Sequence, residues 1–307
     1  MLYRALGRTG LQVSEIGFGA ASWWGKTQFE EIHAARLVDE AIAGGVTVFD
    51  TGASYSGGNA EPRLGRVLKG RDASGLVIAS KAGTFVDAGR VRRDFSPAAV
   101  TASAERSLKV LGLDVLPLLQ LHGPDIGDLS DGLREALQGL KARGLVRALG
   151  VNSFDSAVID HVIGLPDFDV VMVDYNVLRP EREPLIARAA AAGKGVLAGM
   201  ALAMGHTGLK VARIAGVRDL WYAARGLVRH RADVMAGARF GLLNRLPGIS
   251  GPQAALAYVL ANRDVACAVT GTTRQAHLVE NLAASGLTLS AEAMAAIRTQ
   301  QGARLSA

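Results

Sequence analysis

The sequence holds a single cysteine, Cys267, so no disulfide can form within the chain. That suits a reducing compartment, and a cytoplasmic location is expected. No apolar run approaches the length of a membrane span; the longest, such as VLPLLQLH, are strand-sized. The first twenty residues lack the continuous apolar core and small-residue cleavage site of a signal peptide. The six histidines, at 33, 122, 161, 206, 230 and 277, form no HxH or HExxH pair, which argues against a metal hydrolase and predicts no metal site. Gly17 and Gly19 give only GFGAAS, without the third glycine of a dinucleotide-binding turn. Linker-like and low-complexity stretches are missing too. Prolines number 9 against 37 glycines, a ratio suited to many short strand–helix loops. Excess charge is confined to one segment. The net charge of +6 lies in residues 203–250, where eight cations face two acids, and the rest of the chain balances to zero. So local a charge points to an anionic small-molecule ligand rather than a nucleic-acid surface, and no membrane partner is expected.

What is present is alternation. Eight β-branched, apolar runs read as strands: SEIGFG, VTVFD, LVIASK, VLPLLQLH, VRALGVNS, FDVVMVDYN, GVLAGM and VACAVTG. Between them lie helical patterns at 29–43, 97–110, 130–142, 155–163, 182–192 and 252–262. Ser96-Pro97 and Gly251-Pro252 place proline in a first helical turn, and Gly112, Gly144 and Gly193 suit helix ends. Strand–helix alternation predicts parallel strands, and eight of them close a barrel. The expected fold is α/β: a single (β/α)8 barrel domain over residues 1–307. An N-terminal β-hairpin over 1–14, turning near Gly7 to Gly10, should cap its bottom. A basic helical insertion over 203–250 should follow the seventh strand.

Barrels of this kind carry their chemistry where the strands end. The second strand ends in Asp50, the third in Lys81, the fourth in His122 and the fifth in Asn152-Ser153. Tyr55 lies in the glycine-rich loop after Asp50 and can fold back over them. Each residue alone has an ordinary explanation: a surface ion pair for the lysine or aspartate, packing for the tyrosine, a backbone bond for the histidine. Their coincidence on successive units makes a catalytic set the better account. A free tyrosine titrates at about pH 10, too high to donate readily, and an ammonium beside it lowers that value. Asp50 would hold Lys81 charged, and His122 would donate a hydrogen bond to a carbonyl oxygen. That is proton donation to a carbonyl as hydride arrives at carbon, and hydride requires a cofactor.

These residues resemble a known family. FDTGASYSGGNAEPRLGRVL is similar to the aldo-keto reductase signature, with Asp50, Tyr55 and Glu61 in register. IASKAG and LLQLHGPD resemble its lysine and histidine strands, and LGRTGLQVSEIGFG and VTGTTRQAHLVEN its opening and closing segments. The resemblance implies a reductase of aldehydes or ketones, or the reverse dehydrogenase, with Tyr55 as general acid tuned by Lys81 and Asp50. It implies a nicotinamide dinucleotide lying across the barrel mouth, NADP(H) in preference to NAD(H). Asn152 and Ser153 would meet the nicotinamide amide; Gly271, Thr272 and Arg274 would meet phosphates; His277, Glu280 and Asn281 would lie on the adenine side. Trp23, Trp24 and Phe85, in loops after the first and third strands, would wall the pocket of a small carbonyl or alcohol substrate, in a monomer or a homo-oligomer.

The chain departs from the family pattern in the nicotinamide cradle. The usual Gly-Val-Ser-Asn reads Gly150-Val151-Asn152-Ser153, a glutamine is replaced by Met172, a stacking aromatic by Gly199 or Met200, and an adenine-side arginine or glutamine by His277. Within the basic segment, residues 217–235 carry apolar positions at helical spacing, which fits a helix packed on the rim or a lid whose arginines meet an anionic substrate. Two other functions compete. A Schiff-base aldolase would use Lys81 as nucleophile, but needs it neutral, which Asp50 opposes. An NADP(H)-binding sensor or accessory subunit would explain an eroded cradle but not a tuned tyrosine.

Overall fold

The computed structural model describes residues 1–203 and 236–305. Two short antiparallel strands, β1 (Tyr3–Ala5) and β2 (Gln12–Ser14), open the chain. The barrel strands are β3 (Ile16–Gly19), β4 (Val48–Asp50), β5 (Val77–Ala82), β8 (Leu116–His122), β9 (Val146–Asn152), β10 (Val170–Asp174), β11 (Gly195–Gly199) and β12 (Cys267–Thr270). They pair in that order, all parallel, and β12 returns to β3 to close the ring. Each strand run expected from the sequence is found, trimmed by a few residues.

Helices follow the strands on the outside: α1 (Glu31–Ala43), α2 (Ala60–Leu68), α3 (Pro97–Leu111), α4 (Asp131–Ala142), α5 (Ser156–Ile163), α6 (Glu183–Ala191), α7 (Gly251–Ala261) and α8 (Gln275–Leu282), with α9 (Ala291–Leu305) at the C-terminus. Their ends have local causes. Ser96 caps α3 by accepting from the Ala99 N–H, with Pro97 in the first turn. Ser250 and Gln253 form a reciprocal capping box on α7. Gly112, at φ 70°, ends α3. No helix among the described residues is long and apolar enough to cross a membrane.

The barrel interior is layered. At the bottom, Leu6, Leu11 and Val13 of the opening hairpin join Val48, Val77, Ala79, Leu118, Val170 and Leu197 from the strands in one buried cluster. The hairpin is therefore a plug, as its position in the sequence predicts. Arg4 secures it by donating to the Glu15 carboxylate and the Val265 carbonyl. Cys267 is buried in this layer and its thiol is pushed far up by burial, so it is inert packing.

One element was not expected. β5 continues through Gly83 into an antiparallel hairpin, β6 (Thr84–Asp87) and β7 (Arg90–Arg93). Gly83 adopts φ +87°, and a β-carbon there would lie 2.0 Å from the Phe95 ring, so only glycine makes this bend. Of the basic insertion, residues 204–235 lie outside the described residues; Arg239 and Arg245, both exposed, belong to a short 3-10 stretch (Arg239–Arg245).

Candidate active site

Above the apolar floor the inward positions turn polar. Asp50 is 3% exposed and Lys81 0%. Lys81 donates from Nζ to Asp50 Oδ1 at 2.5 Å and to the Thr51 carbonyl at 2.8 Å. Gln120, two residues before His122 on the same strand face, donates to the same Asp50 oxygen at 3.4 Å. Burial works against the Lys81 charge, yet Asp50, with Tyr55 adding to it, outweighs burial and raises the lysine above its ordinary value. A lysine so held is an ammonium, not a nucleophile, which removes the support for an aldolase.

Tyr55 stands over this pair. It begins a 3-10 turn, Tyr55–Gly57, in the loop after β4, and the Lys81 ammonium is 4.6 Å from its ring centroid. The loop is pinned to the one after β3. Ser56, in the left-handed region at φ 57°, donates to the Ser22 carbonyl at 2.7 Å, and Asn59 donates to Gly25 at 2.8 Å. A non-glycine residue at positive φ is strained, and here it adjoins the tyrosine. His122 faces Tyr55 edge-on, with ring centroids 5.4 Å apart and planes at 84°. Burial, then Lys81 and Arg93, lower the imidazole to about 4, so it is neutral at neutral pH. Asp50, Tyr55, Lys81 and His122, the residues expected to act together, are thus in one place.

The sites expected to hold a cofactor occupy the rest of the rim. Asn152 and His122 are register partners, and both Asn152 and Ser153 are buried. Ser153 Oγ accepts from the Asp155 N–H, which opens α5. Gly271 and Thr272 lie in the loop after β12, Arg274 is the N-cap of α8, and His277, Glu280 and Asn281 follow on that helix. Asn281 is 2% exposed, whereas Arg274 and His277 are exposed. Met172, in place of the expected glutamine, sits in the inner apolar layer. A β-carbon on Gly199 would lie 3.0 Å from its terminal methyl, so these two departures from the family pattern are sterically coupled.

The rim is asymmetric. Ionisable and amide groups come from β4, β5, β8, β9 and β10, while β11 and β3 end in Gly199 and Gly19 and Gly271 follows β12 directly. A β-carbon on Gly271 would meet the Gly19 carbonyl at 3.2 Å. This half offers backbone groups that no side chain covers at the glycines and, past Gly271, the N-terminus of α8, a donor set that fits an extended dinucleotide with its phosphates near α8.

Two expectations about the pocket wall need correcting. Trp24 is 1% exposed, packs edge-on to Phe18 at 6.0 Å and donates to the Ala34 carbonyl. It is a core anchor, because its turn points it down between α1 and α2 rather than across the mouth. Phe85 is not in a loop but in β6, half-buried. Trp23 is half-buried in the 3-10 turn Ser22–Gly25. Missed altogether were Ser54, Thr84 and Gln120, common polar residues that acquire meaning only through their contacts.

The sequence model of the aldo/keto reductase family matches residues 15–300. This chain belongs to the aldo/keto reductase family. It is 29% identical to L-galactose dehydrogenase of Arabidopsis thaliana over 92% of this chain and 87% of that one. It is 27% identical to D-threo-aldose 1-dehydrogenase of a Pseudomonas species over 90% of this chain and 91% of that one. An aldo-keto reductase from Bacillus halodurans, solved in its holo form, superposes with a TM-score of 0.79 at 29% identity, covering 98% of this chain and 96% of that one. The chain is accordingly an oxidoreductase of this family.

Proposed function

We propose that this aldo/keto reductase is NADP(H)-dependent and interconverts an aldehyde or ketone with its alcohol, with Tyr55 as the proton donor. The observation that carries this is the arrangement of Lys81, sealed with Asp50 beneath Tyr55 and beside His122. A bound nicotinamide dinucleotide supplies or accepts the hydride. Tyr55 gives its proton to the carbonyl oxygen in reduction and takes it back in oxidation. Lys81 stabilises the phenolate left behind, and Asp50 keeps Lys81 charged and in place. His122, being neutral, donates a hydrogen bond to the same oxygen without adding a charge. Asn152 and Ser153 hold the nicotinamide amide. Gly271, Thr272 and the first turn of α8 receive phosphates, with Glu280 and Asn281 towards the adenine and Trp23 and Phe85 at the substrate. A protein that only senses a dinucleotide has no use for a lysine fixed under a tyrosine.

Arg274, at the N-cap of α8, supports the phosphorylated cofactor, because a guanidinium pairs well with a 2′-phosphate. Tighter binding of NADPH than of NADH, diminished by Arg274→Ala, is expected in titrations of tryptophan fluorescence; equal affinities unchanged by the substitution count against it. The relatives named L-galactose dehydrogenase and D-threo-aldose 1-dehydrogenase make aldoses the first alcohols to try, and the net +6 of residues 203–250 favours an anionic substrate. The decisive test is Tyr55→Phe, which keeps the ring and removes the proton. Carbonyl reduction should fall about 100- to 10,000-fold while cofactor affinity stays close to wild type. A rate within a few-fold of wild type refutes the assignment.

A further inference from the structure

His122 is held from two sides by the unexpected hairpin. From β6, Thr84 Oγ1 lies 2.6 Å from His122 Nδ1. From β7, Arg93 donates to the carbonyl of Gly123, the next residue along, at 2.9 Å. Thr84 is itself 7% exposed and its hydroxyl is 3.1 Å from Ser54 Oγ, in the loop residue that immediately precedes Tyr55. Nε2, the other ring nitrogen, has no hydrogen-bond partner among the described residues.

A neutral imidazole carries one proton, on one nitrogen or the other. If Nδ1 carries it, Nδ1 donates to Thr84, and Nε2 offers only a lone pair, which repels a carbonyl oxygen. If Thr84 donates to Nδ1, the proton sits on Nε2, and the ring becomes a donor. The contacts favour the second arrangement. Run from Ser54 to Thr84 to Nδ1, each hydroxyl proton has an acceptor, and the Nε2 proton is left for a ligand. Run the other way, the half-buried Ser54 leaves its proton to solvent rather than to a protein acceptor among the described residues. Thr84 and Ser54 sit outside the set of Asp50, Tyr55, Lys81 and His122: Thr84 on the hairpin inserted directly after the lysine strand, Ser54 in the loop after β4.

We propose that Thr84, oriented by Ser54, is a positioning residue that fixes His122 in its Nε2–H tautomer, so that His122 can donate to a carbonyl oxygen beside Tyr55. The last clause rests on the carbonyl-reductase reading above; the tautomer itself does not. The role resembles that of any group whose hydrogen bond to one ring nitrogen decides what the other can do.

The test has two arms. Long-range nitrogen–proton NMR on the histidine-labelled protein without cofactor, at neutral pH, reads the tautomer of His122 directly, with His122→Gln identifying its signals among the six histidines. Nε2–H is expected; a predominant Nδ1–H signal overturns the proposal whether or not the protein reduces carbonyls. In the second arm, Thr84→Val keeps the side-chain shape and removes the hydroxyl. The bias towards Nε2–H should be lost, and kcat/KM for a carbonyl should fall about tenfold, the size of one lost hydrogen bond, with the change in kcat and little change in cofactor Kd. Thr84→Ser should restore both the tautomer and the rate to within about twofold. Wild-type tautomer and rate in Thr84→Val overturn the proposal, and so does a Thr84→Ser protein that behaves like the valine variant. If the wild-type protein turns over no carbonyl while the NMR result holds, it is the reaction that has been misassigned, not the role of Thr84.

Discussion

At the scale of single residues, position told more than identity. Asp50, Lys81 and His122 could be picked out because each directly follows an apolar strand, and strand ends of a barrel converge. Ser54 and Thr84 could not, since a serine and a threonine near a turn have many ordinary duties. Trp24 departs from expectation for a related reason: the sequence shows an aromatic after a strand but not which way its turn directs it. The buried ion pair gives a sharp expectation. Asp50→Asn leaves the Lys81 ammonium without its counter-charge in a dry interior, and breaking such a pair costs about 3–5 kcal/mol. Urea unfolding should record a loss of that order together with loss of activity; an unchanged midpoint means that the pair contributes little. His122 predicts a pH effect of definite sign. Its folded value, about 4, lies below the ordinary 6.5, so on acidification the unfolded chain takes up a proton first. Stability should therefore be intact above about 6.5 and decline as the pH falls towards 4, by roughly 3 kcal/mol from this group. His122→Gln should flatten that part of the stability curve, and an unaltered slope would assign it to other groups.

At the scale of elements, helices announced themselves through their caps and strands through their runs, which is why Ser96-Pro97 and Gly112 bracket α3 as expected. The β6–β7 hairpin had a signal that could have been used. Thr84-Phe85-Val86 and Arg90-Val91-Arg92 flank Ala88-Gly89, both at positive φ (46° and 76°), the conformation of a two-residue hairpin turn. The signal was obscured because the hairpin is short, strongly basic on one strand and absent from the plain strand–helix alternation. Gly89→Ala isolates the turn, since a β-carbon there meets nothing within 4 Å and only the backbone conformation resists it. A cost of about 1 kcal/mol, seen as a fall in Tm of roughly 1–3 °C, is expected. A larger loss, or a fall in kcat matching that of Thr84→Val, would show that the hairpin transmits strain to His122.

At the scale of the molecule, eightfold alternation was enough to specify the barrel, because parallel strands with outer helices admit few other closures. The charge distribution was equally plain in the sequence, and the proposed anionic substrate gives it a test. With the net +6 confined to residues 203–250, KM for an anionic aldehyde should rise several-fold when salt shortens the Debye length from about 10 Å at 0.1 M to about 3 Å at 1 M, while KM for a neutral aldehyde of matched size should not. Equal responses would leave the segment with no part in substrate capture. The plug of Leu6, Leu11 and Val13 bears on traffic instead. A barrel whose core is packed with side chains and whose bottom is sealed by the hairpin is reached from one end only. Under the proposed mechanism, substrate, product and the water that would reprotonate Tyr55 must all use the upper rim, in turn, past whatever already lies there. Exchange becomes a queue, so the order in which molecules leave, rather than the bond-making step, can set the pace of the cycle.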